Sequence, residues 1–261
     1  MADLQFLGVT IEEGIAMVKI NRPPVNALGK GLLAELGKLV DDVQADPKVK
    51  VVVLSSAIQN VFIAGVDLKE MAQLTNPEDV VGIIRLGQQV FRKIENSEKP
   101  FIAAIAGACV GGGQELVMAC HIRIASDRTR FAQPEITLGI IPGFGGSQRL
   151  PRLIGAAKAA ELILTGDLVT PQDAQKMGLI NHVVGDGALL KTAREIAKKI
   201  ARHGLPAIRA AMRAIGKGLD VSIDEGMKVE EAEFRSILGT KDMQEGIRAF
   251  IEKRQPKFTD S

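Results

Sequence analysis

The chain has 261 residues, 46% apolar and 25% charged, which excludes disorder over most of its length and leaves enough chain for a sizeable core. Nine Phe with no Trp or Tyr offer few stacking platforms for single-stranded nucleic acid. A net charge of +2, from 33 basic and 31 acidic residues, disfavours a general polyanion binder but allows a local basic patch for one phosphorylated ligand.

In chain order, a Glu13-Gly14 turn cue precedes a strand over Ile15 to Ile20, and Asn21 to Pro24 breaks it. Leu32, Leu33, Leu36, Leu39, Val40 and Val43 recur at helical spacing up to Asp46-Pro47. Val49 to Ser55 reads as a strand buried on both faces. Phe62 to Asp67 reads as a short strand running into a loop. Then come a helix over Glu78 to Ile94, a buried strand over Phe101 to Ala106, and glycine-rich Gly107 to Gly113 opening a helix through Leu116, Val117 and Cys120. Ile122 to Ala125 is a strand, Phe131 to Glu135 an extended segment, and Ile141 to Gly146 a second glycine-rich loop. From Ala156 onward the pattern is helical: 156–164, 171–177, 188–203, 206–217, 222–238 and 241–252. Strands alternating with helices, then helices alone, predict an α/β core over residues 1–195 and a helical C-terminal region over 196–261.

Cys109 and Cys120 lie in apolar surroundings and read as reduced, buried thiols of a reducing compartment. The N-terminal residues show no signal-peptide pattern, and apolar runs stay under ten residues, too short for a membrane span. The expected location is therefore cytoplasmic, or the mitochondrial matrix after loss of a transit peptide.

Several motifs fail. The Gly107–Gly113 run lacks dinucleotide spacing, no Gly-Lys-Ser/Thr follows a glycine-rich loop, and no Gly-x-Ser-x-Gly is present. His121, His182 and His203 are scattered and read as structural or surface residues, so no metal site is expected.

Three segments carry the chemistry: Ala64 to Lys69, Gly111 to Glu115, and Gln133 to Ile136 followed by Gly139 to Gly146. Glycines before a helix allow close approach of a ligand, and the helix N-terminus presents free N–H groups that stabilise an oxygen gaining negative charge. Glu115, in the first turns of that helix, taken alone reads first as a carboxylate complementing the helix dipole and second as a functional group. Glu135 lies in a mostly apolar stretch, so it is either paired with a buried cation or functional, and burial raises its pKa. One raised and one ordinary carboxylate would make an acid/base pair around a water. The 20-residue gap between the two glutamates fits helix, strand and extended return, but does not by itself bring them together.

The runs Pro100 to Leu116 (PFIAAIAGACVGGGQEL), Phe62 to Met71 (FIAGVDLKEM) and Phe131 to Leu150 (FAQPEITLGIIPGFGGSQRL) resemble the signatures of the crotonase, or enoyl-CoA hydratase/isomerase, family. Asn21 to Leu28 (NRPPVNAL) and Ala249 to Arg254 (AFIEKR) match as well, so the resemblance covers essentially the whole chain in order. It implies a crotonase-like spiral of ββα units with a C-terminal helical trimerisation region, in a homotrimer or a homohexamer built as a dimer of trimers. It implies an acyl-CoA thioester substrate, no metal or redox cofactor, and no nucleic-acid or membrane partner. By position, the backbone N–H groups of Val66 and Gly112 form the oxyanion hole. Ala64, Val66, Asp67, Leu68 and Lys69 line the coenzyme A, and Phe234 and Lys253 contact it from the C-terminal region. Lys253, Arg254 and Lys257 would supply a local attraction for its phosphates.

Glutamates at both Glu115 and Glu135 mark hydratases in this family, with Glu135 giving a proton to C2 and Glu115 activating the water. The expected reaction is therefore reversible syn addition of water to a trans-2-enoyl-CoA. The alternatives are an isomerase, a hydratase of cyclic or dienoyl thioesters, and an RNA-binding role that the charge balance disfavours. Four positions depart from the pattern. Val66 replaces the usual alanine, and its branched side chain can reshape the pocket. Gln114 stands where a small residue is common, His121 where aspartate is usual, and Pro24 near the place of a basic residue that often helps bind coenzyme A.

Overall fold

A computed structural model describes residues 4–261. A hairpin opens the chain, β1 (Leu7–Glu12) and β2 (Ile15–Ile20), joined by Glu13 and Gly14. Both turn residues have positive φ, 53° and 80°, which matches the twist of a two-residue hairpin. The first strand escapes the sequence reading because, at the sheet edge, it buries only every other residue weakly.

After the hairpin the chain winds in repeating turns. Helix α1 (Lys30–Ala45) leads to β3 (Val51–Ser56), then β4 (Val61–Ala64), α2 (Leu68–Ala72) and α3 (Pro77–Glu95). The next turn is β5 (Phe101–Ile105), β6 (Ala108–Val110) and α4 (Gly112–Ala119). The third is β7 (Ile122–Ser126), β8 (Arg130–Ala132), a 3-10 turn over Pro134–Leu138, α5 (Gly146–Ile154), α6 (Ala156–Thr165) and α7 (Pro171–Lys176), closed by β9 (His182–Val184). Each turn thus gives one strand to a six-stranded sheet, ordered β1-β2-β3-β5-β7-β9, and one to a three-stranded parallel sheet, ordered β4-β6-β8. This is the expected α/β spiral of ββα units.

The large sheet is buried on both faces, as its runs of Val and Ile require. Along β3, Val52 and Leu54 face the main core with α1 and α3. Val51 and Val53 face the other way, onto Leu189, Ala193 and Ala197 of α8 (Leu189–Ala201). Residue 195 therefore falls inside a helix that packs on the sheet, and the helical appendage starts only at α9 (Leu205–Gly218), followed by α10 (Ile223–Ile237) and α11 (Lys241–Ile251).

Other differences have local causes. The segment expected to be extended through Glu135 leaves the strand at Ala132 and turns into the 3-10 helix, because Pro134 sets the φ of a first helical position. Helix α2 depends on Asp67, whose carboxylate caps the N–H groups of Lys69 and Glu70. Helix α5 tolerates an internal proline, and β9 is a three-residue strand inside a region that reads as helical.

Cys109 and Cys120 are free and buried, and burial pushes the Cys120 thiol up to about 12. His121 accepts at Nδ1 from the Phe101 N–H (2.9 Å) and places Nε2 3.2 Å from the Glu95 carbonyl, so it is a structural histidine. Among the described residues, no helix is long and apolar enough to cross a membrane, and no group of three or more His, Cys, Asp or Glu could hold a metal.

Candidate active site

The C-terminal ends of the three strands of the small sheet converge. At the end of β4, Leu28 and Val66 form an isolated parallel bridge. Leu28 donates to the Gly65 carbonyl (2.9 Å) and accepts from the Asp67 N–H (3.0 Å). In a parallel bridge bonded this way, the residue between the two partners turns its own N–H to the opposite side. The Val66 N–H has no protein acceptor among the described residues.

At the end of β6, Gly111 takes φ 54° and ψ −125°, a conformation that needs glycine. It starts α4, whose first residue is Gly112, with an N–H left free as at any helix start. A Cβ on Gly112 would stand 2.9 Å from Leu28 Cδ1 and 3.2 Å from Phe144 Cδ2, and one on Gly113 would overlap the Ile63 carbonyl oxygen. The glycines thus let α4 lie directly on β4, and a Cβ on Gly111 would come 3.6 Å from the Gly65 Cα. Two unpartnered N–H groups, of Val66 and Gly112, are brought to adjoining strand ends.

Glu115 is 1% exposed. Its Oε1 accepts from the N–H groups of Phe144 (2.8 Å) and Gly146 (2.6 Å). Burial raises its pKa to about 7 against the opposing effect of those bonds, and the charge of nearby Glu135 pushes the same way. The alternative of a carboxylate merely complementing the helix dipole does not account for this, since Glu115 points into the protein and grips a second loop.

Glu135, in the 3-10 turn after β8, is also buried, with its pKa raised by burial. No cation pairs with it among the described residues, and its Oε2 is buried without a hydrogen-bond partner. Its Oε1 lies against Gly111, where a Cβ would stand 2.8 Å away. Both glutamates are thus raised, whereas one raised and one ordinary carboxylate was expected. The whole of α4 is buried, so its glutamate is desolvated too.

Gln133 donates from Nε2 to the Gly111 carbonyl (3.0 Å). Its Oε1 has no partner and lies against Gly146, the residue that also holds Glu115. Gln133, Phe144 and Gly146 are participants that sequence reasoning named only within motifs. The signal was the glycine run 143–146, a loop able to aim several N–H groups at one oxygen.

The expected coenzyme A residues divide. Ala64, Val66, Asp67, Leu68 and Lys69 adjoin the cluster, with Leu68 and Lys69 exposed. The Asp67 carboxylate is committed to capping α2 and to Arg22 (2.7 Å), whose guanidinium holds it below the usual carboxylate range, so it shapes the segment and is not free for a ligand. Phe234 on α10 and Lys253 after α11 are exposed on the helical appendage, outside the cluster. Arg254 is paired with Glu245 (2.6 Å) and Glu252 (2.6 Å), so its charge is largely neutralised and the basic patch reduces to Lys253 and Lys257.

The described chemistry is a pair of raised carboxylates beside two free N–H groups. Comparison with known proteins gives the family of the chain. The family described as "Enoyl-CoA hydratase/isomerase" matches residues 10–261. The chain is 42% identical to the short-chain-enoyl-CoA hydratase of Clostridium acetobutylicum, over 94% of each chain. It is also 42% identical to the crotonyl-CoA hydratase of Syntrophomonas wolfei, over 95% of each. The crystal structure of an enoyl-CoA hydratase from Bacillus anthracis superposes with a TM-score of 0.95 at 39% identity, covering 98% of this chain and 100% of that one.

Proposed function

The chain belongs to the enoyl-CoA hydratase/isomerase family and is an enoyl-CoA hydratase, a lyase; from that premise we propose that Glu115 and Glu135 add water reversibly across a trans-2-enoyl-CoA, giving a 3-hydroxyacyl-CoA. The observation that carries the assignment of residues is the buried, unpartnered Oε2 of Glu135 beside Glu115 and the free N–H groups of Val66 and Gly112.

The thioester oxygen accepts from those two N–H groups, which draws electron density from C3 and stabilises the enolate that forms as water adds. One carboxylate takes a proton from the water while its oxygen bonds to C3, and the other, protonated, delivers a proton to C2. Both act from one side, so the addition is syn. The pair works in its singly protonated form and titrates as a unit. In hydration Glu135 is the donor to C2 and Glu115 the base, and dehydration reverses the roles. No metal or redox cofactor enters this scheme; coenzyme A arrives as part of the substrate.

Crotonyl-CoA hydration, followed by loss of the enoyl-thioester absorbance and identification of 3-hydroxybutyryl-CoA, tests the activity. The preferred acyl group in this proposal is short. The short-chain and crotonyl relatives support it, and so does Phe144. That ring is 3% exposed and packs beside Gly112, Leu28, Gly87 of α3 and, edge to face at 5.6 Å, Phe91. In this proposal the ring closes the acyl end of the site. Across an acyl-CoA panel, kcat/KM is expected to fall beyond four to six carbons by roughly tenfold or more. Phe144→Ala should shift the preference toward longer chains. An unchanged chain-length profile in a folded Phe144→Ala protein would remove Phe144 from this role.

The proposal includes a homotrimer or a dimer of trimers. It is supported by Leu219, Ile223, Phe234, Phe250 and Ile251, all more than 60% exposed on the helical appendage, large apolar side chains that association would cover. Light scattering should give three or six times 27.9 kDa. Phe250→Asp should lower that mass, and an unaltered mass would place the interface elsewhere. A cytoplasmic location is part of the same proposal, supported by the two buried free cysteines.

A further inference from the structure

Glu115 is held by a loop whose other ties are the buried Phe144 ring and Gln88 Nε2, which donates to the Gly143 carbonyl (2.8 Å). Its two donors, the N–H groups of Phe144 and Gly146, flank Gly145, which sits at φ 107°. Two consecutive glycines leave this stretch torsionally free, and no side-chain cap fixes the start of α5.

The tie on the Phe144 backbone itself is Arg149, three residues into α5, with a side chain only 12% exposed. Its Nη1 donates to the Phe144 carbonyl (3.0 Å). Its Nε and Nη2 donate to the two carboxylate oxygens of Glu95 at the end of α3 (3.1 and 3.0 Å). Glu95 is itself braced. Its Oε2 takes Arg92 Nη1 (3.0 Å), and Arg92 Nη2 reaches Asp220 between α9 and α10 (2.7 Å). Its backbone carbonyl faces His121 Nε2 (3.2 Å). The planar fork of an arginine suits this double task, since one edge can bind a carboxylate bidentately while the remaining N–H groups reach a carbonyl.

We propose that Arg149 is a positioning residue for the hydratase reaction: clamped to Glu95, it fixes the Phe144 carbonyl and thereby keeps the Phe144 and Gly146 N–H groups on the Glu115 carboxylate. This rests on the hydratase reading for its kinetic part and on geometry alone for the rest. The charged groups around Glu115 are Glu135 from the 3-10 turn, Arg149 from α5 and, behind Arg149, Glu95 and Arg92 from α3. Loss of the clamp removes the tie on the Phe144 carbonyl and a nearby cation, so the two donors are held less firmly on Glu115 and its ionised form becomes harder to reach.

The test uses the full chain. Arg149→Met keeps the side chain's bulk and removes its donors. Expected are a fall in kcat on the order of 10- to 100-fold with KM changed by no more than about threefold, as for a misplaced reacting group. The Glu115 titration midpoint, read by carbon NMR on glutamate-labelled protein without substrate, should rise by roughly half a unit or more. Arg149→Lys, with charge but no fork, should fall between. If Arg149→Met does not fold, Arg149→Gln, which carries neither the charge nor the fork, should move the same midpoint upward. An unchanged midpoint in a folded variant overturns the proposal, even if thermal stability falls. Because that titration needs no turnover, it decides the positioning role separately from the hydratase reading, which crotonyl-CoA turnover decides.

Discussion

Glu135→Gln is expected to lower kcat for crotonyl-CoA hydration by a factor of about 10² to 10⁴, with KM changed only a few-fold. The amide keeps the volume of the side chain in its buried setting but can neither ionise nor deliver a proton as an acid. Val66 and Gly112 would still present their N–H groups to the thioester oxygen, so substrate binding and some polarisation survive. Steady-state kinetics on the variant, with folding checked by circular dichroism, decides the matter. A loss below tenfold would rule out the two-carboxylate mechanism.

Glu115→Gln should cost activity on the same scale and, unlike most losses of function, make the protein more stable at pH 8. The folded pKa is raised from 4.5 to about 7. Between those values the folded chain holds a proton that the unfolded chain has released, so stability falls as pH rises through the window. At about 1.36 kcal/mol per unit, the ionised carboxylate costs up to about 3 kcal/mol above pH 7. Glutamine carries no such cost, and its Oε1 can accept the same two N–H bonds. A gain on the order of 1–3 kcal/mol at pH 8, vanishing near pH 4, is therefore expected in urea unfolding at matched protein concentration. Equal stability of the two proteins at pH 8 would mean that burial does not strain Glu115.

The strong periodic helices and the doubly buried strands were legible because burial imposes their patterns directly, as with Leu32 to Val43 and Val51 to Ser55. The three-residue strands β6 and β9 are not, since so few residues show no period and their pairing partners are far away in sequence, and β8 is legible only as an extended segment carried too far, to Glu135. The glutamates were legible one at a time. Glu135 stood out as a charge in an apolar run, and the resemblance of its flanking motif gave it a partner. What no local pattern carries is the meeting itself, which depends on β6 and β8 lying side by side, and on the loop at Gly145 returning over α4. The raised state of Glu115 is not legible for the same reason: its helix is buried on every side, which the glycine-rich run before it does not show. Arg149 was visible only as part of a motif, because its partner Glu95 is 54 residues away.

In the proposed mechanism the small parallel sheet divides the labour of the reaction among its strands. The neighbouring ends of β4 and β6 supply Val66 and Gly112, which in that mechanism stabilise the enolate. The end of β8 supplies Glu135, the proposed source of that enolate's proton. Glu115 alone belongs to both, since it stands three residues into α4 and faces the β8 turn. A scaffold wired in this way can change the fate of its intermediate by altering one strand end, with the means of forming it left untouched on the other two.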